Sequence, residues 1–537
     1  MSQELERDFT TKETSTGIVI TGMTDSLRAR VQLGGELTIP SSLRGRPVVR
    51  IGEKAFRNLS TVANVVIPEG IVSIGRSAFK GSASLKSVSL PSTLKDIEYR
   101  AFKECSGLET LELPDSLERI DSSAFKKCYL LESVKFGSGL REIGDSAFKG
   151  CFSLRNVQLP SSVAFLGDGV FAECEALESA ELICNAQTIG VGLFYGCGAL
   201  RSATLPPNLE ELPEGTFKGC AALRSAQLPP KVKRIGKNAF FGCAGLHKIE
   251  LSPKIVDIDE GAFSESGLKH AILPEGLTRL SESLFKKCAR LESVALPSKL
   301  VKIESSAFQY CPRLTSLVLP SGVKLIGDDA LHGCESLMSV SLPEGLMRIG
   351  RGAFQGCAAL PTIHIPESVV RIGAFAFAHC TALCGEDDGI MELPPSLVEL
   401  GYGAFGGCSS ISGFYISANN ETYRVVNDAL MTKSGTLVSY PSGRQARAFD
   451  IPPETTEIGQ YAFVDSGRLN AVSIPSGVRR IGEYAFWGRS GLRSIEIPPT
   501  VESIGENAFR GKITLVVKTG SYAESWAQEN LHSHESN

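Results

Sequence analysis

No apolar stretch in this chain approaches the 18 residues that would suggest a membrane-spanning helix. The opening residues, MSQELERDFT, lack the basic start and apolar core of an export signal, so the sequence predicts no secretory leader. Charge of one sign is also lacking. The net charge is -4 from 55 basic and 59 acidic residues, and no basic run interrupts the mixture. That balance argues against nucleic acid as a partner and against long-range attraction to an anionic membrane. Tryptophan is scarce, with two residues, so the usual anchors of a binding hot spot are few. No G-x-S-x-G elbow, phosphate loop, H-E-x-x-H helix or dinucleotide fingerprint stands in a suitable context. The sequence therefore nominates no catalytic residue, no cofactor and no metal ligand, and the chain is read as not an enzyme.

What is present is a repeat, and it decides the fold class. A phenylalanine column runs Phe56, Phe79, Phe102, Phe125, Phe148, Phe171, Phe194, Phe217, Phe240 and Phe263, each 23 residues after the last. It continues at Phe285, Phe308, Leu331, Phe354 and Phe377, then at Phe405, Phe463, Phe486 and Phe509. One unit, from Leu85, reads LKSVSLPSTLKDIEYRAFKECSG. Leu85, Val88 and Leu90 have their side chains on the inner side of a short strand, with Ser87 and Ser89 outward. Pro91 lacks a backbone donor and ends the strand. Leu94 and Ile97 make a second short apolar pair, and glycine usually follows the isoleucine, as in Ile143-Gly144, where it suits a bend. Ala101, Phe102 and Cys105 sit at helical spacing and predict a short helical turn. One unit cannot bury these columns alone, but stacked units can, with strands pairing in parallel and the Phe column forming an interior stack.

The pattern L-x-x-I-x-L-P-x-x-L-x-x-I-G-x-x-A-F-x-x-C resembles the BspA-type leucine-rich repeats of bacterial and protozoan surface proteins, from about Phe9 to Leu531. The resemblance implies an α/β repeat solenoid: a right-handed, curved array with a parallel sheet on its concave face and helical turns and second short strands on the convex side. It also implies an adhesin-like role in recognising a protein or matrix surface.

The ends and interruptions suggest a division of the chain. Residues 1–51 are read as an N-terminal β cap, with strands at Thr16–Thr21 and from Glu36 to Pro40. Residues 52–405 form the repeat solenoid, 406–450 an insertion, 451–511 the last repeats, 512–531 a capping strand and helix, and 532–537 a disordered tail. In the insertion, Ala429–Thr432 and Thr436–Tyr440 flank Lys433-Ser434-Gly435 and predict a hairpin. At the end, Ser521 and Glu524 have capping-box spacing, with Tyr522, Trp526 and Leu531 over the last unit's core.

Thirteen of the fifteen cysteines stand three residues after the aromatic column, one per unit, among them Cys105, Cys128, Cys151, Cys174 and Cys197. Structural zinc needs pairs separated by two to four residues, so the column reads as a buried thiol ladder. Cys184 and Cys384 lie outside it and are the candidate reactive thiols. An odd number of thiols points to a reducing compartment, whereas the resemblance points to the cell surface. His247 and His270 lack a carboxylate or thiol constellation. Glu386, Asp387 and Asp388 lack calcium-loop spacing. Lys80, Lys103, Lys126 and Lys149 should stack into a basic stripe, read as a solvated face because acidic residues flank it. Asn58-Leu59-Ser60 and Asn420-Glu421-Thr422 are glycosylation triplets that matter only in a eukaryotic secretory route.

Two surfaces remain as candidate partner sites. The insertion carries Phe414, Tyr415, Tyr423, Arg424, Tyr440, Arg444 and Arg447, a composition suited to binding, set against the alternative that the aromatics pack the hairpin down. The expected concave face carries Glu112, Lys135, Gln158, Glu181, Gln227, Glu250, His270, Ile272 and Val318, a mixed surface whose lack of stacked aromatics argues against a sugar platform. The leading functional reading is a protein-binding scaffold of adhesin type with a protein or matrix partner. The second is an intracellular interaction scaffold, and the last an enzyme with its site in the 406–462 insertion.

Overall fold

The computed structural model describes residues 7–31, 35–385, 389–488, 491–509, 513–530 and 532–536. Glu386, Asp387 and Asp388, and also Leu531, lie outside them. The chain divides into two compact units, Met1–Leu268 and Lys269–Asn537. Each is a β-solenoid of stacked coils.

Most coils contribute two short strands, which commonly pair in parallel with the residue 23 positions on, as in Thr110↔Ser133 and Arg119↔Glu142. The three-residue strands, such as Ser87–Ser89 and Thr110–Glu112, bury the middle residue and expose its neighbours. The two-residue strands at the second apolar pair form the longer ladders. In the first unit they belong to a nine-stranded and a three-stranded sheet, and in the second unit to two six-stranded sheets.

The expected helical turn is not a helix. Amides alternate between two destinations. Ala101, Lys103 and Cys105 donate within the coil to the carbonyls of Glu98, Arg100 and Phe102. Arg100, Phe102 and Glu104 donate instead to Ser122, Ala124 and Lys126 of the next coil. Arg100 and Glu104 have φ of 57° and 63°, and these two left-handed positions flank the phenylalanine in coil after coil. They turn alternate N–H groups along the stacking axis, which a helix cannot do because it keeps its amides for itself. The segment is thus a third intercoil ladder, and the helices lying wholly within the described residues are Asp25–Val31 and Tyr522–Glu529.

The phenylalanines stack as expected. Phe102 and Phe125 have centroids 5.2 Å apart with planes 2° from parallel, and both are fully buried. Column thiols donate to the carbonyl of the previous coil's column residue, as Cys105 Sγ to Phe79 O at 3.1 Å and Cys357 Sγ to Leu331 O at 3.3 Å. Ser82 holds the same slot and bonds Phe56 O at 3.2 Å. The glycine after the isoleucine has a reason other than a bend. A Cβ on Gly190 would lie 2.3 Å from the Gly167 carbonyl carbon, so close coil approach excludes a side chain there.

The ends of the chain depart from expectation in two places. Phe9–Glu13 adds an antiparallel strand to Ile18–Met23, and the Phe9 ring meets Phe56 edge-on. At the other end His534–Ser536, expected as a tail, pairs in parallel with Thr514–Val517. Ser521 caps the final helix by accepting from Glu524 N–H at 3.3 Å, and Trp526 packs edge-on against Phe509. Tyr522 points outward, 44% exposed.

Candidate partner-binding surfaces

The insertion contains the expected hairpin, extended by a further strand into a three-stranded meander. Tyr423–Val426 pairs antiparallel with Ala429–Thr432, which pairs antiparallel with Thr436–Ser439. Asn427 and Asp428, with φ of 51° and 63°, make the first turn. An Asn-Asp pair between apolar alternations was the sequence signal for it. Most of the candidate binding residues here are structural. Phe414, Tyr423 and Tyr440 are buried. The Tyr423 hydroxyl accepts from Leu400 N–H at 2.8 Å. Tyr440 packs edge-on to Phe449 and stacks on Phe463. Arg444 is held by Asp428 at 3.3 Å, by the Asn427 carbonyl and over the Phe449 ring, while Arg424 pairs with Glu454 at 3.0 Å. Tyr415 and Arg447 alone of the seven are exposed. Asn420 cannot accept a glycan as folded, because its buried amide donates to the Pro395 and Leu397 carbonyls.

On the exposed face of the three-residue strands, Glu112, Lys135, Gln158, Glu181, Gln227 and Glu250 of the first unit all face solvent. Glu112 stands opposite Lys135, and Gln158 opposite Glu181. In the second unit His270 bonds Ser293 Oγ at 2.9 Å, and Ile272 and Val318 are 78% and 73% exposed.

The thiols form no site. None of the fifteen is joined in a disulfide. Burial pushes Cys105, Cys151, Cys197, Cys243 and Cys334 up to about 12. Cys184, expected to be reactive, is buried with its thiol likewise pushed up, so it is not a ready nucleophile. Cys384 is half-buried. Among the described residues no group of three His, Cys, Asp or Glu could hold a metal, and no helix is long and apolar enough to cross a membrane. The lysine stripe is present and largely paired: Lys103 meets Glu104 at 3.3 Å and Lys149 meets Glu173 at 3.1 Å. Burial, then the neighbouring Lys149 and Lys103, hold the Lys126 ammonium below its ordinary range.

One surface escaped the sequence reading. In the second unit Tyr402 stacks on Tyr461 at 5.7 Å, and Tyr461 on Tyr484 at 4.9 Å. Phe375 closes one end edge-on to Tyr402 and Tyr461, and Trp487 the other end edge-on to Tyr484. All five are partly or largely exposed. The signal was an aromatic two or three residues before the phenylalanine in these coils: Phe375, Tyr461 and Tyr484 two before, Tyr402 three before. The step of 58 positions from Phe405 to Phe463 separates Tyr402 from Tyr461 in sequence and concealed their adjacency.

The pattern described as BspA type leucine rich repeat region, in six copies, matches residues 49–178, 187–315, 301–426 and 442–521. The chain belongs to the BspA-type leucine-rich-repeat family. This BspA-type chain is similar to a leucine-rich repeat protein of Bacteroides ovatus, with 28% identity and a TM-score of 0.55 over 76% of this chain and 92% of that one. A leucine rich cell surface protein of Faecalibacterium prausnitzii is 27% identical, with a TM-score of 0.41 over 62% of this chain and 93% of that one. No curated protein matches.

Proposed function

We propose that this BspA-type protein is a non-enzymatic scaffold that binds another protein, with an adhesin-like role at a cell surface. The supporting observation is the aromatic ladder Phe375–Tyr402–Tyr461–Tyr484–Trp487. Tyr and Trp dominate protein hot spots because they offer large, rigid contact area at low entropic cost. Their mutual stacking occupies the ring faces that a sugar would need, and leaves edges and hydroxyls for a protein surface. Ile272 and Val318 give the same unit a further apolar contact. A photoreactive phenylalanine analogue at position 484 in cells of the source organism should cross-link one protein, and at position 301 should not. Equal yields at both positions, or adducts with glycan alone, would overturn the reading. Protease digestion of the protein on intact cells tests the adhesin-like part. Protection until lysis would favour the second reading, an intracellular scaffold, which fifteen cysteines without a disulfide support.

A further inference from the structure

Two neighbouring coils of the first unit part company between residues 224 and 251. Three repeats earlier the corresponding segments are tightly laddered: Glu178 N–H donates to Arg155 O at 2.7 Å, and Leu159 N–H to Glu181 O at 3.0 Å. Here, among the described residues, no main-chain hydrogen bond joins Arg224–Leu228 to His247–Leu251, and the later segment forms no strand. The earlier one is held to the coil before it by the bridge Thr204↔Gln227 and by Arg224 N–H to Arg201 O at 3.3 Å. The two coils stay tied on either side of the gap, by Gly245 N–H to Ala221 O at 2.8 Å and by Val256 N–H to Lys233 O at 2.9 Å. Between these ties lies an opening of about 610 Å³, lined by Ala226, Leu228, Lys248, Ile249, Glu250 and Leu251 among others. The core shows through it. Leu228, Ile249 and Leu251 are half-exposed, whereas their counterparts Leu159, Ala180 and Leu182 are buried.

We propose that this slot binds one extended peptide segment of a partner protein, laid in as an additional strand. Each edge offers both donors and acceptors at strand pitch: the amides of Ala226 and Leu228 with the carbonyls of Arg224 and Ala226 on one side, and the amides and carbonyls of Lys248 and Glu250 on the other. An extended main chain carries the complementary rows on both of its sides, which an anion or a sugar does not. Its inward side chains are apolar, because they cover Leu228, Ile249 and Leu251. The exposed Lys248–Glu250 pair, 2.8 Å apart, leaves the rim without a net charge to select for. Filling the slot satisfies backbone groups that otherwise face only water and restores the cover over the core. The site and the form of its ligand are separate from the aromatic ladder, so each can fail without the other.

The test uses the full chain and a displayed library of random twelve-residue peptides, with the selected peptides then synthesised. Hydrogen exchange should show amides 248 and 250 exchanging faster than amides 179 and 181 in the free protein, and slowing about tenfold or more on peptide binding. Methylating alternate peptide amides should weaken binding about tenfold per lost bond, while the intervening amides tolerate it. Glu250→Pro, which removes one donor, should weaken binding to a similar degree. Four results would overturn the proposal: amides 248 and 250 already as protected as 179 and 181, no peptide selected, selected peptides protecting another region only, or methylation tolerated at every position. If Glu250→Pro fails to fold, the methylation series still decides.

Discussion

At the level of single residues, the interior is a set of columns in which each side chain meets its own kind one coil away. Phe217 stacks on Phe194 at 5.7 Å and on Phe240 at 5.3 Å, fully buried. Phe217→Ala should cost about 3–5 kcal/mol of stability by denaturant unfolding, because coils locked by three ladders cannot collapse into the void. Cys220→Ser should cost about 1 kcal/mol or less, since Ser82 already performs the carbonyl-capping task in that column. A cost near that of Phe217→Ala would remove hydrogen bonding as the reason for the thiol ladder. Outside the core, Ser138 donates its N–H and hydroxyl to Asp115 of the preceding coil at 2.8 and 3.0 Å. Those bonds, the backbone N–H first, hold the Asp115 carboxyl below its ordinary range, and Ser298 does the same for Glu275 with its hydroxyl first. A folded value below the unfolded one means that the contribution is complete above about pH 4 and is lost as pH falls through the folded value. Asp115→Asn should therefore be less stable than the parent at pH 7, and the difference should vanish in acid melts. A difference that persists at pH 2 would refute the assignment.

The decisive elements are the turns on either side of the phenylalanine. Two left-handed residues per coil convert what helical spacing suggested into an intercoil ladder, and where glycine is absent, residues such as Glu104 and Lys127 adopt that conformation. Two glycines separate the two constraints at work. Gly196 has φ of 74° with its nearest neighbour, Glu173 Cγ, at 3.6 Å, so Gly196→Ala meets only the backbone cost of about 1 kcal/mol. Gly190→Ala drives a methyl into the Gly167 backbone and should cost more, about 1–3 kcal/mol. Melting temperatures that rank the two variants in the opposite order would show that coil spacing is softer than this geometry implies. Glu98 and Asp121 occupy the Gly190 column elsewhere, so some coils do accommodate a Cβ.

For the molecule as a whole, stacking leaves an open core at each end that must be covered. Trp526, with the buried Ala523 and Ala527, does so for the second unit. The final strand His534–Ser536 extends that cover. A fragment ending after the coil of Phe240 should stay soluble and monomeric only when a capping segment is joined to its new end, as light scattering after size exclusion would show. An uncapped fragment that remains monomeric and unfolds cooperatively would contradict nearest-neighbour stacking as the source of stability.

Which residues face inward was legible in the sequence, because a period of 23 places every Phe, Cys and Leu column beside its copies, and burial follows from stacking. The hairpin Ala429–Thr432 with Thr436–Ser439 was legible too, through its turn residues. The fate of the backbone was not. Helical spacing at Ala101, Phe102 and Cys105 is the same whether the amides bond within the coil or across coils, and only φ at Arg100 and Glu104 decides. Nor could the sequence rank Tyr423 and Tyr440 as buried while Tyr402, Tyr461 and Tyr484 form a surface ladder, since a looped-out insertion makes neighbours of residues 59 positions apart. The slot is the clearest case. LHKIEL at 246–251 alternates as well as any strand in the chain, and its separation from Arg224–Leu228 arises from how two coils seat on each other, a tertiary balance that no local pattern encodes.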